Sequence, residues 1–323
     1  MLHTPLCDLL GIEHPIVQAA IWPATSPALV AAVSNAGALG SLGAVFESAD
    51  RLRQQIAQVR ALTDRPFAVN HVVPLLNEEA FAVTLEAGPA VISFALGDPG
   101  DLVARAHDAG ATVLHQVHTV RQAEQAAQQG VDGIIAQGSE AGGQGMVQGP
   151  STMVLVPQVV DAVAPIPALA AGGVADGRGL AAALVLGAQG ANIGTRFLAS
   201  EEASAAETWK QALLTTASEE TVRFEVWREI MPTTSPSAYA TAPRVLRTPF
   251  VKRWQGRPSE VQRQAEQIRG EIMQALRAGS AHELVPFTGQ TVGLVRNILP
   301  AAAIVDNMIT EAEKALSGAM RRI

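Results

Sequence analysis

The chain is expected to fold as an α/β protein, a TIM (β/α)8 barrel with a small C-terminal capping lobe, and three observations carry that expectation. Between residues 15 and 215, short apolar or β-branched runs alternate eight times with helical-period segments, the order of repeated βα units. Only 16% of residues are charged and 48% are hydrophobic, as buried parallel strands under packed helices require. Gly37, Gly88, Gly110, Gly130 and Gly187 each stand between a helical segment and the next strand, where a left-handed C-cap ends a helix. Doubly wound open sheets typically have about five or six strands, so eight units favour closure.

Taken in order, the strands are expected at 15–18, 38–42, 67–70, 90–94, 112–116, 133–137, 166–170 and 191–194. Ser26 ahead of Pro27, and Thr119, Ser151 and Asp176 ahead of apolar-periodic runs, are the N-caps of the helices between them. Residues 1–214 make the barrel. From Glu219 to Trp254 the chain is polar, holds four prolines and loses the βα period, so 215–290 is expected to form a separate capping and substrate lobe. It includes a helix at 258–278. Residues 291–323 carry a last helix at 301–316 that packs back on the barrel.

A net charge of −7 without any Lys/Arg run gives nucleic acid or an anionic membrane no electrostatic footprint. Cys7 is the only cysteine, which rules out an intrachain disulfide and a cysteine zinc site. The start of the chain has no basic-then-apolar signal pattern, and apolar runs break well before the ~18 residues of a membrane span. A soluble, cytoplasmic protein acting on a small molecule is expected, and a homodimer is compatible with it. His3, His14, His107 and His282 show no metal-ligand spacing, so no metal is expected. GxSxG, GxxxxGK[ST] and GxGxxG are all absent, so a nicotinamide cofactor, if used, docks only transiently.

Barrel chemistry sits at the C-terminal ends of the strands, with phosphate commonly held after strands 7 and 8. Here those loops read Ala171-Gly172-Gly173-Val174 and Gly194-Thr195-Arg196, whose bare backbone amides can approach a phosphate monoester. After strand 6 comes Gln137-Gly138-Ser139-Glu140-Ala141-Gly142-Gly143-Gln144-Gly145, too glycine-rich for helix or strand. It is expected to lay bare backbone against a flat ligand.

These segments, with Glu13 to Ala19, Arg65 to Asn70 and Pro286-Phe287-Thr288-Gly289-Gln290, resemble the nitronate monooxygenase (2-nitropropane dioxygenase) family over nearly the whole chain. Relatives of that family include FMN-dependent enoyl-ACP reductases and NADH:quinone reductases. The resemblance implies FMN as cofactor, with Ala19, Ala20 and Ile21 lining the flavin by backbone and Asn70, Gln116 and Gln137 contacting its ring. It implies the phosphate on Gly172, Gly173, Gly194 and Thr195, Ala171 as a further cofactor-binding residue, Gly142 and Gly143 near the ring, and Gly289 and Gln290 reaching in. One departure matters: Gln144 stands where the family motif has a histidine that contacts substrate or takes its proton. Glutamine bonds but is no base near neutral pH. His71, after Asn70, is a replacement candidate, as are His115 and His118 less strongly, and Trp22 and Tyr239 are expected to wall the substrate pocket.

A nitronate is already an anion and needs no base, so FMN-dependent oxidation of alkyl nitronates with O2 is the first expectation. An NAD(P)H-dependent quinone or enoyl reductase on the same FMN is the alternative. A flavin-free barrel that isomerises or cleaves a sugar phosphate is the third.

Overall fold

A closed ring of eight parallel strands forms the centre of the computed structural model, which describes residues 2–232, 235 and 238–321. In chain order the strands are β1 (Ile16–Gln18), β2 (Gly40–Gly43), β3 (Phe67–Val72), β4 (Val91–Ala95), β5 (Thr112–Val117), β6 (Gly133–Gln137), β7 (Gly143–Met146), β8 (Ala168–Ala171), β9 (Gly190–Ile193), β10 (Thr221–Arg223) and β11 (Thr241–Leu246). All but β7, β10 and β11 belong to the ring, in the order β1-β9-β8-β6-β5-β4-β3-β2. A parallel bridge between Val17 and Leu39 joins its two ends, with the Gln18 amide donating to the Leu39 carbonyl at 2.8 Å. The fold is therefore a TIM barrel, and the eight barrel strands lie within two residues of the expected bounds.

Side chains alternate across each strand. Inward, Val17, Leu39, Ala68, Val91, Leu114 and Ile135 cluster with Leu6, Cys7 and Leu10 of the helix Pro5–Leu10, which plugs the N-terminal end. Outward, Phe94, Ile134, Ala136 and Ala170 pack under the surrounding helices. The five cap glycines all have left-handed φ, from 60° at Gly88 to 93° at Gly187. Ser26, Thr119 and Asp176 each accept a first-turn backbone N–H. Ser151 precedes its helix, Thr152–Val163, without a side-chain cap. The Glu140 carboxylate takes that place, accepting the Thr152 N–H at 2.9 Å, because an anion satisfies an orphan amide and the positive helix end together.

The glycine-rich segment after β6 corrects the expectation that it is neither helix nor strand. Residues Gly143–Met146 form β7, antiparallel to β11, which pairs in turn with β10. Glycine disfavours a strand on local grounds, but a partner strand about 100 residues away satisfies its backbone. Around this sheet Phe224, Ile230, Val245, Phe250, Trp254 and Val261 form a core of their own. It is backed by the helix Pro258–Arg277. The last helix, Ala301–Met320, buries Ile304, Val305 and Met308 against Leu180, Ala181 and Phe197 of the barrel. Among the described residues no helix is long and apolar enough to cross a membrane.

Candidate active site

At the C-terminal end of the barrel a pocket opens whose floor is Val17, Ala68, Leu114 and Ile135, and whose walls are Ala19, Ala20, Ser41, Asn70, Ser93, Gln116 and Asn192. Period-two alternation generates this layering: Ala68 is followed two residues on by Asn70, Val91 by Ser93, Leu114 by Gln116 and Gly190 by Asn192. Asn70 is oriented by donating from Nδ2 to Ser93 Oγ at 2.9 Å, which leaves its carbonyl oxygen as an acceptor. Among the described residues no ionisable side chain lines the pocket. Neutral amides and hydroxyls around a flat apolar floor suit a planar ring with hydrogen-bonding edges.

Beside it two glycine loops form a cradle. Gly172 and Gly173 both have left-handed φ, 89° and 78°, and among the described residues the N–H groups of Gly172, Gly173 and Gly194 donate to no protein acceptor. The loop after β1 comes close: a Cβ on Gly194 would stand 3.9 Å from Ala19 and Ile21. Thr195 Oγ1 accepts from Gly289 N at 2.9 Å, and Gln290 N donates to the Glu140 carbonyl at 2.9 Å. Gly142 lies so close to this C-terminal segment that a Cβ would fall 2.6 Å from Gly289 N. Thus Ala19, Ala20, Asn70 and Gln116 line one pocket, and Ile21, Gly194, Thr195, Gly289 and Gly142 stand in a chain of close approaches that starts from Ala19.

Gln137 makes a protein contact through one end of its amide. Its Nε2 donates to the Gln144 carbonyl at 2.7 Å, so the amide holds β7 down. The Gln144 side chain leaves β7 on the face opposite Gly145 and has no hydrogen-bond partner among the described residues.

The histidine candidates need correction. His71 alternates with Asn70 and therefore faces outward, its Nε2 2.9 Å from Thr84 Oγ1 and its ring edge-on to Phe81. Burial lowers its pKa to about 4. It is a packed helix contact, not a base at the mouth. His115 alternates with Gln116 and likewise turns away: Nδ1–H donates to the Phe94 carbonyl at 3.2 Å, so Nε2 accepts from the Tyr239 hydroxyl at 3.0 Å. Tyr239 thereby anchors its segment to the barrel wall, and His118 packs on its ring. Both histidines are pushed to about 4 by burial, with Arg223 adding to the effect at His118. Trp22 stands at the rim, edge-on to Phe46 with ring centroids 5.1 Å apart.

Sequence reasoning missed Ser41, Ser93 and Asn192, although each is a polar residue two positions after an inward apolar or small one. It also missed Arg223 and Arg244. From paired positions on β10 and β11, both donate to the Ser139 carbonyl, at 3.0 Å and 2.9 Å, and Arg223 donates to the Gly143 carbonyl at 3.0 Å. Burial first, then the neighbouring Arg244, lowers the Arg223 pKa to about 10. Among the described residues no group of three or more His, Cys, Asp or Glu side chains is arranged for a metal ion.

Comparison with known proteins adds independent findings. A family model described as nitronate monooxygenase matches residues 3–81 and 76–311. A Mycobacterium tuberculosis protein named (3aS,4S,5R,7aS)-5-hydroxy-7a-methyl-1-oxo-octahydro-1H-indene-4-carboxyl-CoA dehydrogenase is 42% identical over 217 residues, 66% of this chain; the chain spans 60% of that relative's length. A probable nitronate monooxygenase of Staphylococcus saprophyticus is 36% identical over 258 residues, 66% of this chain and 72% of the relative. The solved structure of FabK from Thermotoga maritima superposes with a TM-score of 0.89 at 33% identity, covering 100% of both chains.

Proposed function

The chain belongs to the nitronate monooxygenase family of oxidoreductases, and from that premise we propose that it is an FMN-dependent enzyme that oxidises alkyl nitronates with O2. FMN fits what the chain offers. The free amides of Gly172, Gly173 and Gly194, with the Thr195 hydroxyl, would hold the phosphate, and Ala171 closes that end. Ala19, Ala20 and Ile21 would line the ring by backbone, Asn70 and Gln116 would bond its edge, and Gly142 and Gly143 would let it approach the backbone closely. Gln137 acts one step back, by positioning β7, and Gln290 by closing the cradle against Glu140. When bound, FMN supplies a two-electron acceptor that can pass its electrons to O2.

One observation carries the choice of substrate: among the described residues no ionisable side chain lines the pocket. His71 and His115 face outward, and His118, buried just past the end of β5 near Gln137 and Arg223, has its pKa lowered to about 4, which makes it a weak base near neutral pH. A substrate that must lose a carbon-bound proton would find no effective base at neutral pH, whereas a nitronate arrives deprotonated. Gln144 would offer an amide for its nitro oxygens and Trp22 would wall the approach, whereas Tyr239, expected there too, holds its segment to the barrel wall through His115. Oxygen consumption separates the cases: the reading expects turnover of a preformed nitronate and at most slow turnover of the neutral nitroalkane. Equal rates on both would overturn it.

A second reading is favoured by the 42% identical CoA-thioester dehydrogenase and the full-length likeness to FabK. Hydride exchange with NAD(P)H also needs no base, so the same mouth could serve a quinone or enoyl reductase. The flavin-free sugar-phosphate reading is set aside, because the family is one of oxidoreductases and the pocket has no lysine or acid pair. Flavin released by denaturing the purified protein should be FMN.

A further inference from the structure

Phe46 is doubly unfavourable where it stands. It is 67% exposed, and its φ of 61° puts a bulky side chain in the left-handed region that glycine or asparagine adopts more readily. Such strain persists only where the surroundings impose it, and it gathers at ligand sites. Here the surroundings do impose it. The Ala44 amide donates to the carbonyl of Asn70, a pocket residue, at 2.9 Å, and Glu47 N closes the turn onto the Ala44 carbonyl at 3.2 Å. On the other side Gly43 lies against Ala20, another pocket residue, a Cβ there falling 3.5 Å from it. Trp22, from the loop after β1, supports the ring edge-on. The turn therefore presents an aromatic face, together with Trp22, beside a pocket that has neutral polar walls.

We propose that Phe46, backed by Trp22, is a specificity-determining residue that takes the apolar chain of the substrate, so that longer alkyl or acyl groups bind better than the shortest ones. The proposal rests on the reading that substrate enters this mouth, but not on whether nitronate or NAD(P)H is the electron donor.

Straight-chain carboxylates share the planar anionic head of a nitronate without being oxidised, so their binding tests the lip apart from turnover. Calorimetric titration of the purified protein with the series from propanoate to octanoate should show affinity rising about threefold to fourfold per methylene along the part that meets the lip. In Phe46→Asn, which tolerates the left-handed turn but removes the apolar face, that gain should fall below about twofold per methylene. Equal slopes in the two proteins, or no chain-length dependence in the wild type, would overturn the proposal. A Tm within about 2 °C of wild type, or above it, fits a residue kept for the substrate. A drop of about 5 °C or more would make Phe46 a packing residue and overturn it too. Failure of the flavin reading would show separately, as protein that carries no FMN, and would leave the slopes measurable.

Discussion

Gly173→Ala separates the fold from the proposed phosphate cradle. Gly173 has φ 78°, and a Cβ there would meet nothing closer than Glu140 Oε1 at 3.7 Å, so the substitution costs backbone strain without a clash. That strain is about 1 kcal/mol, a Tm loss of about 2 °C for a chain of this size. The consequence for FMN is larger. To relieve φ the peptide must rotate its N–H away from the cradle, and one amide bond to a charged phosphate contributes about 1.5–3 kcal/mol, or roughly 10-fold to 150-fold in Kd. Titrating apoprotein with FMN by fluorescence quenching, with riboflavin alongside, isolates the phosphate contribution. FMN affinity should fall by at least about tenfold while riboflavin affinity hardly changes. Parallel losses for both flavins, or an FMN Kd unchanged despite the lower Tm, would refute the cradle.

Three further outcomes follow from the same geometry. His71, His115 and His118 have pKa values lowered from 6.5 to about 4, so they are neutral in the fold and protonated in the unfolded chain between those values. Stability should be level above about pH 6.5 and fall as pH drops toward 4, by up to about 3 kcal/mol per histidine; urea midpoints unchanged from pH 7 to pH 4.5 would contradict this. Tyr239→Phe leaves His115 Nε2 buried without its donor and should cost about 1–3 kcal/mol in chemical denaturation, whereas a neutral result would remove the Tyr239–His115 bond as an anchor. Gln144→His restores a base on β7 and should raise the rate on neutral nitroalkanes relative to nitronates, with an unchanged ratio counting against Gln144 facing substrate.

Much of the barrel was legible because its signals are local. Helix caps at Gly37, Gly88 and Gly130 and N-caps at Ser26, Thr119 and Asp176 depend on a few neighbouring residues, and the strand runs between them follow. What escaped depends on distant partners or on facing. The pairing of β7 with β11, and the convergence of Arg223 and Arg244 on Ser139, join segments about 80–100 residues apart that no local pattern links. For His71 the signal is local: alternation from Asn70 turns it outward, and the same rule picks out Ser41, Ser93 and Asn192. Glu140 capping the helix at Thr152 was hidden for a third reason, since its 12-residue separation gives no capping-box signature.

Electron transfer at this mouth from an anion already formed is tested by mixing the FMN-loaded protein anaerobically with an alkyl nitronate and, separately, with NADH or NADPH. Loss of the oxidised-flavin absorbance is followed in each. Rapid bleaching by the nitronate, with slow or no bleaching by either nicotinamide, is the predicted result. Bleaching by NADH or NADPH alone would contradict it and place the chain's activity with the reductases.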